Sequence, residues 1–97
     1  MVQIIKTNDQ LTCMMPARLD TAACLSFQDN LLKRVAEEKM PVVFDMKDVT
    51  FVSSMFIRIC LQVYKHAGAS RFQVVNLSPD VKKVFKIAGL DQQLKIA

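Results

Sequence analysis

The sequence predicts a small α/β domain in which a mixed β-sheet is covered by helices, with elements in the order β-β-α-β-α-β-α. Three observations carry this. From residue 20 onward, segments of helical period alternate with short apolar runs of strand type. That is the pattern of strand–helix–strand units, which pair in parallel through right-handed crossovers. At the start, two strand-type runs flank a short polar turn, which adds an antiparallel hairpin at one side. The chain has 97 residues, 52% hydrophobic and 23% charged, a composition that builds a core and is wrong for disorder. One domain over residues 1–97 is expected.

The hairpin is formed by VQIIK (2–6) and LTCMM (11–15). Between them, Asn8 and Asp9 suit the left-handed backbone of a tight turn. Pro16 ends the second run, because it has no ladder donor. Asp20 or Thr21 caps the next helix by accepting an orphan amide hydrogen. Cys24, Phe27, Leu31 and Val35 then recur at +3, +4 and +4, with Leu32 beside them, and mark one apolar face. Lys33, Arg34, Glu37 and Glu38 lie on the other side, and Pro41 terminates the element.

VVF (42–44) is a short continuous apolar run, which suits a strand covered on both faces. Asp45 stands at its C-terminal end, and VTFV (49–52) leads into Ser53 and Ser54. From Ser54 to Ala67 the polar residues Arg58, Gln62 and Lys65 make one narrow stripe. Phe56, Ile59, Cys60, Val63 and Tyr64 fill much of the rest, so most of this helix should be buried. Gly68 stops it. RFQVVNL (71–77) is the next strand. Ser78 as cap, Pro79 at the first helical position and Asp80 near the positive dipole end start the last helix. Val81, Val84, Phe85 and Ala88 form its apolar face and Gly89 closes it. The tail is expected to dock through Leu90, Leu94 and Ile96.

Charge is uneven. Residues 1–57 hold six Lys/Arg and seven Asp/Glu, whereas residues 58–97 hold seven and two, for a net +4 over the chain. Without a recognition motif for RNA or DNA, the basic half reads as a solvated face, and no nucleic-acid partner is expected. Cys13, Cys24 and Cys60 are odd in number, lack a C-x-x-C spacing and sit in apolar patterns, as buried thiols of a reducing compartment do. No apolar run approaches the ~20 residues of a membrane span. The start, MVQIIKTNDQ, lacks the regions of a signal peptide. A cytoplasmic protein is expected.

Chemistry of its own is not visible. There is no glycine-rich phosphate cradle. His66 is the one histidine, without a second metal ligand at a suitable spacing. Ser54 and His66 lie on one predicted helix roughly 18 Å apart, whereas a general base works at about 3 Å. Asp45 and Asp48 share a strand-end loop, where Asp commonly forms turns. Strand ends are also where ligands bind α/β sheets. No enzyme activity, cofactor or metal is expected.

The stretch VVFDMKDVTFVSSMFIRICLQVYKHAG (42–68) resembles the STAS domain, the fold of bacterial anti-sigma-factor antagonists. In that family an apolar strand ends in Asp, and a short run then leads to Asp-Ser-Ser-Gly at a helix start. A later strand ends in a turn like Asn-Leu-Ser-Pro-Glu, and the last helix ends in Ala-Gly-Leu. The corresponding features here are VVFD (42–45), VTFVSSM (49–55), VVNLSPD (74–80) and IAGL (87–90), with RLD (18–20) before the first helix. The resemblance spans nearly the whole chain, and the ordered set is far more specific than any one motif.

The resemblance implies a STAS-like fold and a role in partner switching. The unmodified antagonist binds an anti-sigma factor that is also a serine kinase and thereby frees the sigma factor; phosphorylation of the first serine breaks the complex. The matching phosphoacceptor is Ser53, which also suits a helix cap, and Ser54 is a cap or first-turn residue. The implied partner surface comprises Asp20, Asp45, Asp48, Val52, Ser54, Met55, Phe56 and Arg58. Three positions depart from the pattern. Val52 replaces the acid, Met55 replaces the glycine, and Ile57 replaces a frequent second small residue. The departures count against phosphorylation, and Val52 and Met55 turn a polar, compact loop into an apolar contact surface. They favour the alternative of a non-switching STAS subunit or scaffold in a lipid-transport or stress-signalling complex.

Overall fold

The computed structural model describes residues 2–90 and the short strand at Lys95–Ile96. In chain order its elements are β1 (Gln3–Lys6), β2 (Leu11–Met14), β3 (Arg18–Leu19), α1 (Thr21–Glu38), β4 (Val42–Asp45), β5 (Phe51–Val52), α2 (Ser54–Ala67), a 3₁₀ turn (Ala69–Arg71), β6 (Phe72–Val75), α3 (Pro79–Ile87) and β7 (Lys95–Ile96). The main sheet has the order β1-β2-β4-β6-β7. β1 pairs antiparallel with β2, and the β2–β4, β4–β6 and β6–β7 pairs are parallel. The expected mixed α/β architecture, with its antiparallel hairpin at one side, is therefore present.

Register explains where the core lies. Leu11, Val42 and Phe72 are aligned across the three central strands, as are Cys13, Phe44 and Val74. All six are buried, and five of them, all but Leu11, join the buried faces of the helices in one cluster. Successive strand residues point to opposite faces. Thr12, Met14, Val43, Asp45, Gln73 and Val75 therefore lie on the other side, and none is fully buried. The expectation that β4 is covered on both faces is corrected. Its continuous VVF run packs fully on one face only, with Val43 half-buried.

Four phenylalanines knit the layers. Phe44 of β4 meets Phe72 of β6 edge-on, with ring centres 4.9 Å apart, and lies 5.8 Å from Phe56 of α2. Phe56 in turn lies 6.3 Å from Phe85 of α3. Across the α1–α2 seam Gln28 Nε2 donates to Gln62 Oε1 at 3.1 Å. On α3 the buried positions are Val81 and Phe85, while Val84 of the expected apolar face is 38% exposed. The helix ends as expected: Gly89 takes φ +78°, and the Leu90 N–H returns to the Phe85 carbonyl at 3.0 Å. This brings Leu90 into the core.

Three features differ from expectation. β3 and β5 form a separate two-stranded parallel sheet; two residues are too few to display a period. The strand expected over 71–77 is confined to Phe72–Val75, with Arg71 in the preceding 3₁₀ turn. The tail adds a parallel strand to β6. The expected docking of the Leu94 and Ile96 side chains lies outside the described residues.

Candidate functional site

The β3–β5 pair positions the site. Its register sets Arg18 beside Phe51 and Leu19 beside Val52. The Thr50 N–H donates to the Ala17 carbonyl at 2.8 Å and the Ser53 N–H to the Leu19 carbonyl at 2.9 Å. Each short strand runs directly into a helix, so the first turns of α1 and α2 stand abreast. Asp20 is the N-cap of α1, its Oδ1 accepting the Ala23 N–H at 2.9 Å. Ser53 is the N-cap of α2, with the extended backbone of that position (φ −97°, ψ 168°).

The two caps behave differently. Sequence reasoning assigned Ser53 a capping role, and the position is right, but its hydroxyl makes no cap bond. The Phe56 N–H is instead taken by the Ser53 backbone carbonyl at 3.1 Å. The Ser53 Oγ lies 4.0 Å from the Cys24 Sγ of α1. Ser53 is half-buried, and Ser54, the first residue of α2, is exposed.

The remaining candidates divide by burial. Val52 is 8% exposed and Phe56 fully buried, which corrects their assignment to a partner surface. Strand alternation sends Val52 inward and Phe51 outward. Phe56 belongs to the aromatic chain between β4 and α3. Met55 and Ile57 are half-buried against the core, and Arg58 is exposed. Arg58 borders a shallow depression of about 400 Å³ on the outer side of α2, beside Leu61, Tyr64 and Lys65. The exposed Phe51 is roofed by the Arg18 guanidinium, 5.1 Å from its ring centre, a cation–π contact between residues 33 apart that no local pattern announces.

Asp45 organises a loop. Its Oδ1 accepts the Lys47 N–H at 3.0 Å and an Asn76 Nδ2 hydrogen at 3.1 Å, the turn-forming role expected of it. Asp48 is exposed in the same loop. Among the described residues there is no group of three or more His, Cys, Asp or Glu side chains arranged to hold a metal ion. Nor is any described helix long and apolar enough to cross a membrane.

A small mixed sheet backed by helices, with a serine at the start of the helix after the β3–β5 pair, defines the class of the molecule as a small α/β domain built on a mixed sheet. The family model for the STAS domain matches residues 2–97, and the chain belongs to that family. It is 31% identical over 90 residues to a STAS-domain containing protein of Pseudomonas aeruginosa (strain UCBPP-PA14), covering 91% of this chain and 88% of that one. The anti-sigma factor antagonist SpoIIAA in its unphosphorylated form superimposes with a TM-score of 0.84 at 20% identity, over 100% of this chain and 88% of that one. The Bacillus cell fate determinant SpoIIAA in the phosphorylated form gives 0.76 at 19% identity, over 100% and 91%.

Proposed function

We propose that this protein is a regulator that works by binding other proteins, in the manner of an anti-sigma-factor antagonist, and that Ser53 is its phosphoacceptor. The supporting observation is the state of the Ser53 hydroxyl. It stands at the start of α2, partly open to solvent and uncommitted to a cap. The partner is an anti-sigma factor with serine-kinase activity. Ser54, Met55 and Arg58 form the contact rim, with Asp20 and Asp48 at its borders.

The switch follows from charge. Kinase-catalysed transfer forms a bond from Ser53 Oγ to the γ-phosphorus of ATP and breaks the bond to the ADP oxygen. The hydroxyl proton passes to a base on the kinase. The product carries about −1.5 to −2 charge. The open amides and dipole of a helix N-terminus tolerate that charge inside the domain, but a closely packed partner would have to desolvate it. Incubation with ATP and each serine-kinase anti-sigma factor of its own genome should place phosphate on Ser53, read by mass spectrometry. Wild type and Ser53→Ala should form the complex and Ser53→Glu should not. A complex indifferent to Ser53→Glu would overturn the switch.

A second reading is favoured by Met55 and Ile57, whose half-buried side chains enlarge the apolar rim beside Ser53. It makes the chain a constitutive STAS subunit or scaffold of a lipid-transport or stress-signalling complex. Recovery of transporter or scaffold subunits on affinity purification, with no kinase, supports that reading over the first.

A further inference from the structure

Cys24 is fully buried, as are Cys13 and Cys60, and its place beside Ser53 sets it apart. Its Sγ lies 3.7 Å from the Leu19 carbonyl oxygen and 4.0 Å from Ser53 Oγ. The same carbonyl accepts the Ser53 N–H at 2.9 Å. Main chain and side chain of Ser53 therefore both turn back to the corner where β3 enters α1. A thiol has a single hydrogen. With that hydrogen directed at Leu19, the sulfur is left as an acceptor, and Ser53 becomes the donor in the 4.0 Å contact.

The other two helix starts show what this arrangement replaces. Asp20 caps the Ala23 amide of α1, and Ser78 caps the Val81 amide of α3 at 3.3 Å. Both bonds go to the third helical residue. In α2 the equivalent amide, Phe56 N–H, is already bonded to the Ser53 carbonyl, so a side-chain cap has less to gain there. An S···O contact of 4.0 Å is weak, yet it is sufficient to select one rotamer where the competing bond has been devalued. We infer that Cys24 is a positioning residue for Ser53, its sulfur accepting the hydroxyl hydrogen and holding the oxygen off the α2 amides with its lone pairs toward solvent. The geometry stands by itself; its consequence for phosphorylation rests on the reading of Ser53 given above.

Ser53 χ1, read from three-bond NMR couplings, tests the geometry without any partner. Wild type should show one dominant rotamer. Cys24→Ala should shift or average the couplings, and hydrogen exchange at the Met55 amide should slow as the freed oxygen turns to cap it. Cys24→Ser keeps an acceptor and should move the couplings back toward wild type. Cys13→Ala, an equally buried thiol elsewhere, controls for loss of packing and should leave Ser53 unmoved. Ser53 phosphorylation should slow about fivefold in Cys24→Ala, the scale of a cap bond. Unchanged couplings in Cys24→Ala would overturn the inference. If the couplings shift but wild type is never phosphorylated, the phosphoacceptor reading falls and the positioning role stands.

Discussion

Asp45 and Asn76 tie the ends of two neighbouring parallel strands together. Asn76 Nδ2 donates to Asp45 Oδ1 at 3.1 Å, just beyond β6 and at the last residue of β4. Asn76 holds φ +60°, a left-handed backbone that Asn accepts more readily than most residues. Asn76→Ala loses the bond and strains the backbone, and should cost about 2 kcal/mol. Asn76→Gly keeps the backbone and should cost about 1 kcal/mol. Urea unfolding of the two variants side by side separates the contributions.

Two serines in the same helical position should respond differently to the same change. Ser78 caps α3, so Ser78→Ala should lose about 1 kcal/mol. Ser53 makes no cap bond, so Ser53→Ala should stay within about 0.5 kcal/mol of wild type. Equal losses in thermal and urea unfolding would show that the Ser53 hydroxyl caps in solution.

Burial separates Phe56 from Arg58, which the sequence placed on one surface. Phe56→Ala opens the aromatic chain between β4 and α3 and should cost about 3–5 kcal/mol. Its partner binding should fall only as the folded fraction falls. Arg58→Glu should leave stability within about 0.5 kcal/mol while weakening the proposed complex with the kinase. Circular dichroism melts alongside binding titrations make the distinction.

This division shows what the sequence could and could not convey. Period alone was enough for α1, where Cys24, Phe27, Leu31 and Val35 are all buried as spaced. The presence of β2, β4 and β6 was legible from their apolar runs, though not the single buried face of β4 or the end of β6 at Val75. The β3–β5 pair was not, because two residues show no alternation, and with it went the inward turn of Val52. Ser53 could be placed at a helix start from residue type. The direction of its hydroxyl depends on Cys24, 29 residues earlier, and no local pattern encodes that contact.

The buried thiols make stability fall in alkali. The ordinary thiol value is 9.0, and burial pushes Cys13 up to about 12, partly offset by the nearby Arg34 charge. Burial also raises Cys60 strongly, and Cys24 to a lesser degree against the contact with Ser53. Above the ordinary value the unfolded chain releases thiol protons that the folded chain keeps. The unfolded state then binds fewer protons, so stability declines as pH rises. The urea midpoint should drop from about pH 9 upward, less steeply in Cys13→Ala. A thiol reagent at pH 8 should label the three cysteines only on unfolding.

Glu38 acts in the opposite range. The Lys6 ammonium, 2.8 Å away, and more weakly the Arg34 guanidinium hold its carboxyl below the ordinary value. The depressed carboxyl contributes stability above the unfolded value and loses it as pH falls through the folded one. Glu38→Gln should therefore be less stable than wild type at pH 7, with the difference closing in acid and shrinking in high salt. Paired melts across pH and salt check this.

The β3–β5 pair has two residues on each side and still anchors both helix starts. A ladder that short opens as a unit when it opens at all. The Ser53 N–H and the Leu19 carbonyl part in that fluctuation, so the entries to α1 and α2 come free of each other together. A phosphate at Ser53, as proposed above, would sit beside the backbone bond that joins the two helix entries, and exchange of the Ser53 amide would report whether it tightens or loosens that joint.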